Sequence, residues 1–161
     1  MSTRYVLIPE SASFPSSNYP ALSLVNARYA LAFDTTTSET CYWTAVAPQG
    51  LTGTWTAVIS YMMASAVSGG VAFDVAVESV SSGDALDLDA AASFDSVNGG
   101  SDAAVPGTAG YMEQISITLT NMDSIAAGDF VRFSLARDVA DAADTAAGDC
   151  YVIGVEIRDG A

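Results

Sequence analysis

Alternation of apolar and polar residues every second position dominates the chain, which is the signature of strands with one face buried. Tyr5 to Pro9 reads as a short opening strand, Arg28 to Phe33 as a second and Cys41 to Ala47 as a third, stopped by Pro48-Gln49-Gly50. Gly53 to Met63 and Val71 to Glu78 are both rich in β-formers, and the stretch Ser65 to Gly70 between them, with its paired glycines, predicts a hairpin. In the second of these strands Val71, Phe73, Val75 and Val77 share one face, and Asp74 and Glu78 share the other. Gln114 to Thr120, Phe130 to Arg137 and Cys150 to Arg158 complete the set.

Two segments break the rhythm. Residues 81 to 110 begin with the turn Ser81-Ser82-Gly83-Asp84, continue with Ala85 to Phe94, which can form a short helix, and end in a flexible crossing segment around Asn98-Gly99-Gly100 and Pro106-Gly107. Asp138 to Asp149 is an acidic loop. About eight antiparallel strands with turns at sandwich spacing and long connections where a Greek key needs them predict an all-β fold, a single-domain jelly-roll β-sandwich. At 161 residues the chain suits one such domain. Its predicted organisation is an N-terminal strand and extended arm over residues 1–20, the arm marked by the Ser/Pro/Asn-rich Ser11 to Pro20, followed by the sandwich over 21–161.

Charge narrows the function. The chain carries 19 Asp and Glu against 5 basic residues, all arginine, for a formal net charge of −14, and it has no histidine. Without lysine or histidine, one chain cannot build a Ser-His-Asp or Cys-His nucleophile, a P-loop or an HExxH zinc site, so a non-enzyme is predicted. Five scattered arginines in so negative a field cannot replace the counterions around phosphates, which speaks against nucleic acid and against anionic membrane surfaces. No apolar run approaches the roughly 18 residues of a membrane span. The four-residue apolar stretch of Tyr5 to Ile8 is too short for the core of a secretory signal. High apolar content excludes disorder and sends the acids to the outer surface of a packed β core.

The remaining candidates for chemistry are few. Asp138, Asp141, Asp144 and Asp149 can offer oxygen ligands to calcium, although their spacing is not that of an EF-hand loop and Asx turns explain the same residues. Asp84, Asp87 and Asp89 form a sparser group. No other cofactor is implied. Asp74 and Glu78 lie about 13 Å apart at roughly 3.3 Å per residue, too far for paired-carboxylate hydrolysis. Cys41 and Cys150 each open a strand and are read either as a disulfide or as two buried thiols. Trp43, Trp55, Tyr42, Tyr61 and Tyr151 can form either an aromatic platform for sugar stacking or part of the core.

Several strings resemble small phage and prophage virion-associated jelly-roll proteins of the capsid-decoration or fibre and tail type. They are Asp34-Thr35-Thr36-Thr37-Ser38-Glu39 before an aromatic strand ending in Pro48-Gln49-Gly50, Tyr61-Met62-Met63-Ala64-Ser65 before Gly69-Gly70, and Arg137-Asp138 with Asp144-Thr145 and Gly148-Asp149 ahead of Val152-Ile153-Gly154-Val155-Glu156. The resemblance implies a non-enzymatic structural virion protein, a capsid decoration or cement protein at the virion surface. It implies a homotrimer whose partners are its own copies and a major capsid protein or other virion component. The Ser11 to Pro20 arm lies outside the resemblance; its strand-like apolar start and the lack of a following hairpin signal predict that the N-terminal segment docks to a partner through Tyr5, Leu7, Ile8, Phe14 and Tyr19. Two other functions fit the residues: a carbohydrate-binding or adhesive β-sandwich module, and a subunit of an extracellular filament.

Overall fold

A computed structural model describes residues 1–160. Ten strands run through them: β1 (Ser2–Leu7), β2 (Ala21–Val25), β3 (Arg28–Phe33), β4 (Thr40–Val46), β5 (Trp55–Met63), β6 (Val71–Val80), β7 (Asn98–Asp102), β8 (Glu113–Leu119), β9 (Phe130–Arg137) and β10 (Cys150–Asp159). They form two antiparallel sheets, a six-stranded one in the order β2-β3-β10-β5-β8, with β1 also paired to β10, and a four-stranded one in the order β4-β9-β6-β7. The all-β jelly-roll sandwich is thus the fold of this chain, with two strands more than the alternation predicts.

The strands form where they do because their inward positions are apolar except at strand ends, where Asn98, Arg137 and Asp159 are buried. Trp55, Ile59 and Tyr61 of β5 face Phe73 of β6 and Phe133 and Leu135 of β9, all of them buried. Aromatic pairs cross the gap between sheets, Phe33 meeting Phe73 edge-on at 5.7 Å and Tyr5 meeting Phe133 at 5.1 Å. Burial pushes the Tyr5 hydroxyl up to about 12.

The predicted hairpin over residues 53–78 does not exist. β5 pairs with β10 and β8, whereas β6 pairs with β7 and β9, so residues 64–70 carry the chain from one sheet to the other. Both strands are buried on nearly every residue, and alternation marks the faces of a strand without disclosing which neighbour it will take. Gly70 sits at the crossing, where an added Cβ would lie 2.5 Å from the Asp102 carbonyl oxygen and 2.6 Å from that of Ala143. No larger residue fits there.

Ala85 to Phe94 is not a helix. Only a turn forms, with the amides of Ala90 and Ala91 donating to the carbonyl of Asp87, because the end of the segment is tied to the outer face of the four-stranded sheet. The Ser93 amide donates to Glu78 at 2.6 Å, and the Phe94 ring stacks on Tyr42 at 5.8 Å. A ten-residue helix gains too little alone to break such anchors. Asn98, expected in a flexible crossing, is buried at the start of β7. Its Nδ2 donates to the carbonyls of Val75 and Asn121, and its Oδ1 accepts from the amides of Thr120 and Asn121.

The arm lies along its own sandwich. β1 pairs with β10 from Ser2 to Leu7, Ser13 exchanges two backbone hydrogen bonds with Tyr42 of β4, and the Thr40 amide donates to the carbonyl of Asn18. Leu7 is in the core, Tyr5 packs against it, and Phe14 and Tyr19 touch each other at 5.5 Å on the surface.

Candidate functional site

Outward-facing residues of the six-stranded sheet build a cleft of about 390 Å³. Its floor is Tyr151 and Ile153 of β10 and Met62 of β5, Tyr151 and Met62 being direct cross-strand partners. One wall is the tight β2–β3 turn with Val25, Asn26 and Arg28, and the other is Gly110 and Met112, which lead into β8. The floor has a local cause. β10 pairs with β3 over Cys150–Val152 and with β1 from Val155 onward, and at the changeover its register against β5 shifts between Val152 and Gly154. Tyr151 and Ile153, two residues apart, share the outward face, and the bulge falls just past them, leaving Ile153 without a partner on β5. The wall has one too: Asn26 and Ala27 both take positive φ, 47° and 61°, which closes a two-residue turn and brings Arg28 back over the sheet.

Arg28 is set apart by electrostatics. Arg4 pairs with Asp159 at 2.7 Å, Arg132 with Glu78 at 2.8 Å, Arg137 with Asp144 at 2.8 Å, and Arg158 with Glu156. Arg28 alone has no carboxylate partner among the described residues. Its Nη1 donates at 3.1 Å to the carbonyl of Asn26, leaving other donors of the guanidinium fork to a ligand. An aromatic and thioether floor below a cation and an amide is a surface for a ligand with both apolar faces and hydroxyl or carboxylate edges.

The aromatic platform expected from the sequence is largely inside the protein. Trp43, Trp55 and Tyr61 are buried; the Trp43 indole donates to the Ile8 carbonyl at 2.9 Å and the Tyr61 hydroxyl to Asp102 at 2.8 Å. Burial, then Asp102, raises the Tyr61 hydroxyl far above its ordinary value. Tyr42 reaches the outer face of the opposite sheet, where Phe94 stacks on it and the Arg132 guanidinium lies 4.6 Å from the Phe94 ring centre and 5.4 Å from that of Tyr42. Of the five candidates only Tyr151 lies in the cleft. The pattern gives the reason: Trp43 of β4 and Trp55 and Tyr61 of β5 fall on the inward set of positions and Tyr42 on the outward set, and a period of two does not say which set is inward.

The acidic loop is occupied by its own backbone and by Arg137. Asp138 accepts from the Ala140 amide and Asp141 from that of Ala143, both as Asx turns. Asp144 takes a two-pronged bond from buried Arg137, at 2.9 and 2.8 Å, and accepts from the Ala72 amide. Asp149 contributes its carbonyl, which accepts from the Ala64 amide. Among the described residues no three acidic or sulfur side chains converge as a metal site would require. Asp74 and Glu78 do share the outer face of β6, but Glu78 is spent on Arg132 and the Ser93 amide. Burial, then Asp138 and Asp141, raises the Asp74 carboxyl. Cys41 and Cys150 are free, buried thiols, both raised well above the ordinary thiol range by burial.

Sequence reasoning passed over Arg28 and the methionines. A signal for Arg28 was present: Ser11 to Phe33 contains no acid, so this arginine has no local partner, whereas Arg158 has Glu156 two residues away. The methionines carried no signal, since their place depends on which face of β5 is outward and on the segment before β8.

The fold and the cleft are those of a jelly-roll β-sandwich with an outward, partly aromatic groove. No family model and no curated protein matches the chain. Among solved structures it is similar to a family 35 carbohydrate-binding module from an environmental isolate, at a TM-score of 0.55 and 11% identity, with 98% of each chain covered. It is similar to the family 35 module of Cellvibrio japonicus Abf62, at a TM-score of 0.50 and 9% identity over 98% of this chain and 94% of that one. A third is the family 28 module described as specific for non-crystalline cellulose, at a TM-score of 0.51 and 9% identity over 94% and 89% of the two chains. At these identities the likeness is one of fold.

Proposed function

We propose that this protein is a non-catalytic saccharide-binding module whose ligand lies in the cleft on the six-stranded sheet. The observation that carries this reading is the meeting of Tyr151 with Arg28, the one arginine without a carboxylate partner among the described residues, in a preformed groove. A sugar ring offers an apolar C–H face, which stacks on the phenol ring and packs on Met62 and Met112, and a rim of hydroxyls, which accept from the guanidinium and bond to the Asn26 amide. The names of the structures with similar folds support the same reading. The virion role, with its capsid partner and three-copy assembly, rests on the texture of the sequence alone.

The test is affinity electrophoresis through a panel of soluble plant and microbial polysaccharides, followed by calorimetry on any that retards the protein. Tyr151→Ala and Arg28→Ala are each expected to weaken binding roughly tenfold or more, equivalent to about 1.4 kcal/mol, without lowering the unfolding midpoint. Trp43→Ala is not a binding variant: it empties a core site and is expected to cost about 3–5 kcal/mol of stability. No retardation by any polysaccharide, or retardation that both cleft variants leave unchanged, would rule the reading out.

A further inference from the structure

Among the described residues, every sheet edge but one carries a device against pairing with another chain. β1 has the charge of Arg4 and a register shift between Thr3 and Tyr5. β4 is covered by the arm through Ser13 and Asn18. β7 is short and glycine-rich and ends in Asp102, and β8 opens with Glu113. Charges, bulges and covering are the chief means by which edges are blunted. β2, five residues long like β7, has none of these three. It is Ala21-Leu22-Ser23-Leu24-Val25, it pairs with β3 on one side in unbroken register, and it forms the end of the sheet.

The side chains on this edge are apolar and in the open. Leu22 is 45% exposed, Leu24 64% and Tyr29 47%, and the register sets Leu24 directly opposite Tyr29 on the face that also holds Leu31. The surroundings are as unusual as the strand. In a chain of net charge −14, the stretch from Ser11 to Phe33 has no acid and one charge, Arg28. Elsewhere two copies repel; here they do not.

We infer that β2 is a self-association edge, through which two copies join antiparallel about a twofold axis at Ser23. The sequence suits its own reversal. With Ser23 on the axis, Leu22 of one copy lies opposite Leu24 of the other and Ala21 opposite Val25, so apolar side chains meet across the seam on one face and small ones on the other. The unpaired backbone groups of the edge find partners in the same step. Such an isologous contact closes at two copies rather than three. Antiparallel pairing keeps like faces on one side, so both clefts open on the same face of a continuous sheet. The inference stands independently of what those clefts bind.

Sedimentation velocity on the full chain across protein concentration and chloride concentration tests it. The expected result is a monomer–dimer equilibrium, with the dimer favoured by salt as the repulsion between copies is screened. Leu22→Glu with Leu24→Glu places like charges across the seam and is expected to give monomer throughout. Leu22→Glu with Leu24→Lys places opposite charges there and is expected to restore the dimer. Circular dichroism and the unfolding midpoint confirm that both variants fold, since each change is at an exposed side chain. A wild-type monomer at every condition, a dimer that survives the double glutamate variant, or a glutamate–lysine variant no more dimeric than that one would each overturn the inference. So would a monomer whose edge takes up extended peptides instead.

Discussion

Asp144 illustrates how much one carboxylate does when it is placed under a buried cation. All three nitrogens of Arg137 are engaged: two by Asp144, and the two terminal ones also by the carbonyls of Gly148, Ala146 and Asp34. The side chain thereby holds residues 34, 144, 146 and 148 in one place, with no exposure to water. Asp144→Asn is expected to cost about 3–5 kcal/mol, the usual penalty for stranding one member of a buried ion pair, read as a lowered urea midpoint. An unchanged midpoint would show that the loop holds without the charge. Asp159 makes a pH-dependent counterpart. The Arg4 guanidinium first, and the Thr52 amide and hydroxyl after it, hold its carboxyl down at about 2 against an ordinary value of about 3.9. A depressed folded value means that the stabilisation is fully present above the unfolded pKa and is lost as pH falls through the window from about 4 to about 2. Asp159→Asn should therefore flatten the acid limb of the stability profile within that window. A limb of unchanged steepness would refute the assignment.

Elements show where the sequence is legible and where it is not. β9 and β10 could be read directly, because each alternates buried and half-buried residues along its length. β5 and β6 were legible as strands but not as members of different sheets, since alternation marks a strand's faces and not its neighbours. β2 and β7 escaped altogether: β2 borrows its order from β3, and the Asn98-Gly99-Gly100 start of β7 is turn chemistry overridden by a buried asparagine and by the close approach of Gly100 to Ile117. The cleft was half legible. Tyr151 was visible as an aromatic on a strand, with Ile153 on the same face, while the choice of that face as the outward one and the wall at Met112 depend on long-range pairing. The segment from 81 to 97 is likewise set by tertiary contacts. Its end is secured by Phe94 against Tyr42 and Arg132, contacts worth on the order of 0.5–1 kcal/mol each at such a site. Phe94→Ala is expected to leave the sandwich folded and to make this segment the first site of limited proteolysis, located by mass spectrometry. Cleavage elsewhere first would show that the segment is held by its backbone bonds at Ser93 and Asp95 alone.

For the whole molecule the deciding quantity is the excess of acids over arginines. Four of the five arginines are already paired, so most of the 19 acids have no cation near them and repel one another through solvent. Salt acts on both kinds of interaction, weakening exposed ion pairs and weakening repulsion, and the outcome depends on which is more numerous. Only Arg158–Glu156 is appreciably exposed on both partners, whereas Arg137–Asp144 is sealed from ions. Repulsion therefore dominates. Raising sodium chloride from ~0.1 to ~1 M shortens the screening length from about 10 to about 3 Å and is expected to raise the unfolding midpoint. Chloride is the proper choice, because sulfate would strengthen apolar burial regardless of charge. Under the proposed function, a neutral polysaccharide carries no charge for this field to act on, so its retardation should be unaffected by the same change. A midpoint that fell with sodium chloride would mean that the acids are stabilised by attractions that these four pairs do not include.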